Sequence, residues 1–366
     1  MNSWQQLLRQ RGLQERPVYA LCFKHHWRKT LQSFAQGSRI HHVSSTHSLP
    51  ANAVLMVWGQ QPVSVPHQSV ALIRWEDGFL RSVGLGAEFA QPLSWVADGE
   101  HLYFDSRGPS RLETWLANHQ FTAEEQDRGM ALIERLNNSG LSKYNVGTED
   151  WQVPETDKQI ILVPGQVESD ASIAFGVPVM GADSPLNPPR TNMDLLKLVR
   201  TENPDAWIVY KPHPDVLAGA RQPGCHEDQA ERWADQVVGD VAINELLPCV
   251  DSVHTMTSLT GFEALVRGKS VYCYGLPFYA GWGLTTDYIT TQSQIINRRQ
   301  RRLSLEELVY GALVNYPFYL SPKSHTYISP EQAIEELKDK KTKGSSWKPV
   351  LGKWARRMIN ILKAPT

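Results

Sequence analysis

The chain has 366 residues and a mass of 41.3 kDa, more than one hydrophobic core readily serves, so two domains are expected. Hydrophobic residues make up 41% of it, charged residues 20%, and the formal net charge is −1, which excludes a disordered chain and a globally basic nucleic-acid binder. There is no apolar run of about 18 residues or more, so no membrane-spanning helix is expected, and the polar start from Met1 to Arg11 gives no expectation of secretion. Cys22, Cys225, Cys249 and Cys273 stand far apart without metal-ligand spacing and read as reduced thiols of a cytoplasmic protein.

Strand-like and helix-like segments alternate, the pattern of a parallel α/β fold. Strands are predicted at Pro17–Phe23, Ala53–Trp58 and Val70–Trp75, and helices at Trp27–Phe34, Glu113–His119 and Ala123–Leu136. A polar connector, Asn145–Lys158, contains Gly147 and Pro154 and marks a boundary. Beyond it, strands are predicted at Gln159–Val163, Trp207–Tyr210 and Ser270–Tyr274, and helices at Met193–Arg200 and Thr260–Arg267. The expected organisation is two Rossmann-like domains, 1–150 and 151–335, facing a cleft, followed by a tail, 336–366.

Four segments could carry chemistry. In Trp75-Glu76-Asp77-Gly78, two carboxylates end an apolar strand, and Gly78 would let the turn aim one of them into a cleft as base or nucleophile. Arg81 and Ser82 nearby suit an anionic substrate group; a solvated acidic turn is the competing reading. In Lys211-Pro212-His213-Pro214 the prolines fix an imidazole at a strand end, where it and Lys211 suit a phosphate; a surface turn is the alternative. Thr257 and Ser258 precede an apolar helical pattern containing Glu263, which reads as a helix start able to hold a phosphate, with Glu263 toward a ribose, or as an ordinary N-cap. Gly165 and Gln166, at the turn opening Pro164–Ser172, could offer contacts to a nucleotide or acceptor. The Gly/aromatic loop Leu276–Asp287 would stack on a base or wedge the domains, and alone it favours the wedge.

Together these elements resemble the CMP-sugar transferases of the GT-B type. The longer strings WEDGFLRSVGLGA, PGQVESDASI, VYKPHPDVLAGAR, KYN at Lys143–Asn145, TSLTGFEALVRG and PFYAGWGLTTD resemble the capsule polysaccharide β-Kdo transferase family of the KpsC type, from about Val18 to Pro322. The resemblance implies transfer of Kdo (3-deoxy-D-manno-oct-2-ulosonic acid) from CMP-β-Kdo to a saccharide or glycolipid, with retention. Carried onto this chain, it makes Asp77 the nucleophile and Glu76 its partner in orientation or proton handling. His213, Ser258, Lys211 and Thr257 would stabilise the departing CMP phosphate. Arg81 and Ser82 would meet the Kdo carboxylate, and no metal or other cofactor is implied. Two departures stand out: the family's tandem modules are here one, and Ser169 stands where a second acid is usual. An inverting, sialyltransferase-like enzyme with Asp77 as general base, and a non-catalytic glycan-binding subunit of an assembly complex, remain alternatives.

From Lys340 to Thr366 there are eight Lys/Arg and no Asp/Glu, whereas the rest carries 29 basic and 38 acidic residues. Leu351, Trp354, Met358 and Ile361 fall on one helical face of this tail, so a basic amphipathic helix is expected, peripheral on the inner membrane, at roughly 1 kcal/mol of attraction per basic residue near an anionic surface. A helix packed on its own domain is the alternative.

Overall fold

Residues 2–84, 91–143, 145, 147, 151–180, 187–289 and 298–343 are described by the computed structural model. The apolar runs become the strands of two six-stranded sheets. The first contains β1 (Val18–Leu21), β2 (Ile40–Val43), β3 (Val54–Trp58), β4 (Ala71–Asp77) and β5 (Ser94–Asp98). β2, β1, β3 and β4 are parallel neighbours in that order, and β5 runs antiparallel to β4, with Asp77 opposite Trp95. Indole and phenyl rings fill the core of this lobe. Trp95 stacks on Phe34 at 4.8 Å between centroids and meets Trp58 and Trp75 edge-on.

The second sheet contains β6 (Ile160–Pro164), β7 (Trp207–Lys211), β8 (Gln236–Val237), β9 (Ser252–Thr255), β10 (Ser270–Cys273) and β11 (Thr286–Asp287). It is wholly parallel, in the order β8-β7-β6-β9-β10-β11, which is the doubly wound 3-2-1-4-5-6 arrangement. Strand order reverses between β6 and β9. Such a fold places its ligand crevice there, outside the carboxyl ends of the strands. The Gln166 and Ser258 segments leave from those two ends.

The chain does not stay in the second unit through residue 335. A strand β12 (Phe318–Tyr319) returns to the first sheet and pairs antiparallel with β5. The helix Pro330–Lys343 then lies on α4 (Ala123–Ser139), with Arg128 gripping Glu331 through Nε at 2.7 Å and Nη2 at 3.1 Å. A two-residue strand has too little sequence to announce its partner, which lies over 200 residues upstream. Among the described residues no helix is long and apolar enough to cross a membrane. The stretch 344–366, with most of the basic tail, lies outside the described residues.

An aromatic seam joins the lobes. Phe79, two residues past Asp77, stacks on Phe278 of the Gly/aromatic loop at 4.6 Å, and Phe262, Tyr103 and Tyr316 close around them. Phe278, Tyr279 and Trp282 are buried. The loop therefore wedges the lobes and does not offer its rings to a base.

Candidate active site

β4 continues through Asp77, so Glu76 and Asp77 project to opposite faces at its end. Asp77 Oδ2 accepts from Arg81 Nε at 2.6 Å, while Oδ1 is buried and has no hydrogen-bond partner among the described residues. Arg81 also donates to Ser82 Oγ at 3.0 Å, and Ser82 Oγ donates to the Gly84 carbonyl at 2.9 Å. Arg81 and Ser82 are both buried. They brace Asp77 from behind, a different place from the substrate-facing one expected of them. Gly78 also has a different role from the one expected. Its φ lies outside the left-handed region, and glycine is required because a Cβ would sit 2.4 Å from Ser94 Oγ on the neighbouring strand.

Glu76 Oε1 accepts from the Asp77 backbone N–H at 2.9 Å. Burial, reinforced by the charge of Asp77, pushes its carboxyl up to about 8. At neutral pH this favours a protonated Glu76 beside the Arg81-paired Asp77. A carboxyl raised by burial next to a second acid suits acid–base work.

A chain of hydrogen bonds leads from Asp77 into the second lobe. Beyond Arg81 and Ser82, the Ser82 N–H donates to the Lys143 carbonyl at 3.3 Å, and the Lys143 N–H donates to Glu263 Oε1 at 2.7 Å. Glu263 belongs to α9 (Leu259–Val266), and Ser258 is the N-cap of that helix, accepting from the Thr260 N–H at 3.2 Å. Glu263 is thus occupied by the Lys143 loop and lines a small apolar cavity with Phe79 and Phe262, so it does not reach toward a ribose. Its carboxyl is raised, chiefly by burial.

His213 caps the short helix α7 (Pro214–Leu217), its Nδ1 accepting from the Asp215 N–H at 3.1 Å. That bond leaves the proton of the neutral ring on Nε2, free to donate. Burial lowers the His213 pKa, so the ring acts as a neutral donor. Lys143 and Asp170 each act electrostatically on both His213 and Glu76, which brings the first-lobe acid and the second-lobe imidazole around the same two charges. Asp170 is the N-cap of α5 (Ala171–Gly176), and Ser169 beside it, where the resemblance would put a second acid, is exposed. Lys143 and Asp170 lay inside the quoted motifs but gave no sign of their role, because only lobe closure brings them to Glu76.

Gln166 and Thr257 hold the strand-order reversal together. Gln166 Nε2 donates to Thr257 Oγ1 at 2.9 Å, and its Oε1 accepts from the Thr257 N–H at 3.0 Å. The Gln166 side chain is thereby committed to positioning the Ser258 turn. The Gly165 N–H donates to the Lys211 carbonyl at 2.8 Å, and a Cβ there would meet the Tyr210 hydroxyl at 2.6 Å, so close strand packing explains this glycine. Lys211 turns toward β8, donating to the Gly239 carbonyl at 3.1 Å, and burial lowers its ammonium to about 8. Of the residues expected at the phosphate, His213 and Ser258 keep that potential, whereas Lys211 is drawn aside.

Sequence reasoning missed a polar hub beside this face. Asp105 accepts from Gln60 Nε2 at 2.7 Å, His101 Nδ1 at 3.1 Å, and Arg107 through Nε at 2.8 Å and Nη2 at 2.7 Å. Burial alone would raise its carboxyl, but the Arg107 and His101 bonds outweigh burial and hold it low. Arg107 lies 4.0 Å over the ring of Phe175 in α5, tying the hub to the other lobe.

Two Rossmann-like lobes with an acid pair on one and a nucleotide-type crevice on the other define a GT-B-type fold. A family model described as capsule polysaccharide biosynthesis protein matches residues 60–319, and the chain belongs to that family. It is 46% identical over 308 residues to capsule polysaccharide modification protein LipA of Neisseria meningitidis serogroup A, covering 82% of this chain and 42% of that protein. It is 41% identical over 273 residues to the lipopolysaccharide-processing protein LpsZ of Rhizobium meliloti, covering 74% of this chain and 59% of that one. The chain thus spans about half the length of the curated relatives it matches. Two solved structures of Thermosulfurimonas dismutans KpsC are similar across 88% of this chain. One, the beta Kdo 2,7 transferase, has 38% identity and a TM-score of 0.71 over 99% of its own length. The other, the beta Kdo 2,4 transferase, has 29% identity and 0.72 over 98%.

Proposed function

We propose that this chain is a retaining β-Kdo glycosyltransferase of bacterial surface polysaccharide synthesis, moving Kdo from CMP-β-Kdo to a saccharide or lipid-linked glycan. The observation that carries the reading is the Asp77 carboxylate, with one oxygen anchored on Arg81 and the other unpartnered at the end of β4. Membership of the capsule family and similarity to two beta Kdo transferase structures support the chemistry.

In the proposed first step Asp77 Oδ1 attacks the anomeric carbon, forming the glycosyl ester as the bond to the CMP phosphate breaks. His213 Nε2–H and the Ser258 helix start receive the charge on the departing phosphate, and Glu76 releases its proton toward the leaving group. The ester abolishes the Asp77 charge, which after burial is the largest cause raising Glu76. Glu76 then favours its ionised form and serves as base for the acceptor hydroxyl in the second step, taking back one proton. A retaining double displacement therefore has a built-in exchange of roles between the two acids.

The test is incubation with CMP-Kdo and a panel of core and glycolipid acceptors, with linkage analysis. Asp77→Ala is expected to cut transfer on the order of 10⁴-fold, and a Kdo adduct on Asp77 should be trapped by mass spectrometry. An inverted product without an adduct would replace this mechanism by one with Asp77 as base. Failure to bind CMP would favour a non-catalytic subunit. We place the enzyme at the cytoplasmic face of the inner membrane, on the strength of the basic 340–366 stretch. Truncation after Lys343 is expected to reduce co-sedimentation with anionic liposomes while sparing transfer to soluble acceptors; unchanged liposome binding would remove this placement.

A further inference from the structure

A second cavity, of about 260 Å³, opens away from the interlobe crevice, between α1 (Trp4–Gln10), α3 (Arg111–Asn118), α4 and the segment Tyr310–Pro317. None of Asp77, His213 and Ser258 borders it. It is several times the space a single water occupies, roughly 30 Å³ in the liquid, and comparable to a sugar ring. Its wall mixes aromatic surface with uncommitted hydrogen-bonding groups. Trp115 and Tyr310 supply ring surface. The side-chain amides of Gln6 and Asn315 make no hydrogen bond among the described residues. Tyr319 is 3% exposed, and its hydroxyl has no partner among the described residues. A buried hydroxyl without a partner costs free energy, and because Tyr319 lines this polar cavity, a partner supplied from outside the chain would relieve that cost.

The charges around the cavity are already paired. Arg128 is held by Glu331 in a bidentate contact, and His119 Nε2 lies 2.8 Å from Glu125. Among the described residues no cation on this wall is left over for a phosphate or carboxylate, whereas planar amides and phenols suit adjacent hydroxyls of an uncharged ligand.

We propose that this cavity is a binding subsite for one neutral, hydroxyl-rich sugar unit, holding part of a glycan at a distance from the reacting end. The assignment extends the transferase reading and does not depend on it, because binding is measured without donor or transfer.

Saturation-transfer NMR on the full chain with methyl β-D-glucoside, methyl β-D-galactoside and free Kdo tests it. Signals are expected from at least one neutral glycoside at millimolar concentration, and Gln6→Ala, Asn315→Ala and Tyr319→Phe are each expected to weaken that binding about fivefold, the loss of one hydrogen bond. Gln6→Ala and Asn315→Ala remove side chains without partners, so their melting temperatures should stay at the parent value, which separates lost binding from lost folding. Absence of any signal from the neutral glycosides would overturn the proposal. So would binding unchanged in the Gln6/Asn315 double variant, or preferential capture of Kdo that those substitutions abolish.

Discussion

Glu76 is the residue where geometry and titration meet most directly. Burial first, and the charge of Asp77 second, push its carboxyl up to about 8, far above the ordinary range. Between about pH 4.5 and 8 the folded chain keeps a proton there that the unfolded chain has lost, so stability falls as pH rises through that window. Glu76→Gln cannot ionise. It is expected to flatten that part of the stability profile and to raise the melting temperature at pH 8.5 relative to the parent, with little difference at pH 4. Thermal melts across pH 4–9 decide the matter, and a parallel pH dependence in both proteins would show that Glu76 titrates normally. The same substitution should slow transfer while leaving CMP binding intact, because the group lies on the acid-pair lobe.

At the scale of elements, the close approach of α4 to the helix Leu305–Val309 turns on one missing side chain. A Cβ on Gly129 would stand 2.3 Å from the Glu306 carbonyl oxygen, and the obstacle is backbone, which cannot swing aside. In an isolated helix Gly129→Ala would gain up to about 1 kcal/mol from propensity. Here overpacking, roughly 1–3 kcal/mol, is expected to win and lower the denaturation midpoint. A raised midpoint would mean that the two helices separate freely. Packing of this kind also explains what could be read from the chain and what could not. β3, β4, β6 and β7 were legible because their buried runs are apolar, and the residues at their ends, Asp77 and His213, could be singled out from sequence. β9 was not legible as a strand. Three of its four residues, Ser252, His254 and Thr255, are polar yet fully buried, and His254 is accommodated by Tyr274 at 3.0 Å and a stacked Tyr272. Hydropathy cannot register a strand whose burial depends on partners elsewhere in the chain. The bracing roles of Arg81, Gln166 and Glu263 were hidden for the same reason, since each is defined by a bond to a residue at least four positions away, and for Glu263 by one in the other lobe.

Across the whole molecule, the lobes are clasped by a buried ion cluster as well as by the aromatic seam. Glu113 of α3 accepts from Arg299 through Nε at 3.0 Å and Nη2 at 2.8 Å, and from Arg298 Nε at 2.7 Å. Arg299 Nη1 continues into the second lobe, donating to the Pro277 and Ala280 carbonyls at 2.6 and 2.7 Å, at the root of the wedge that carries Phe278. Glu113 and Arg299 are both about 95% buried, so removing one partner leaves an uncompensated charge, a loss of about 3–5 kcal/mol. The clasp lies outside the acid pair and the His213–Ser258 crevice, so its effect on chemistry must pass through lobe placement. Glu113→Gln keeps the volume and some hydrogen bonding but deletes the charge that both arginines share. It is expected to lower the melting temperature by several degrees and to reduce transfer by disturbing the approach of Glu76 and Asp77 to His213. Because the proposed function places CMP on the second lobe, its binding is expected to change little. Calorimetric CMP binding beside transfer kinetics distinguishes the cases: equal losses in both would locate the damage in the second lobe itself, whereas lost transfer with intact CMP affinity would identify the clasp as the device that sets the distance between the acid and the imidazole.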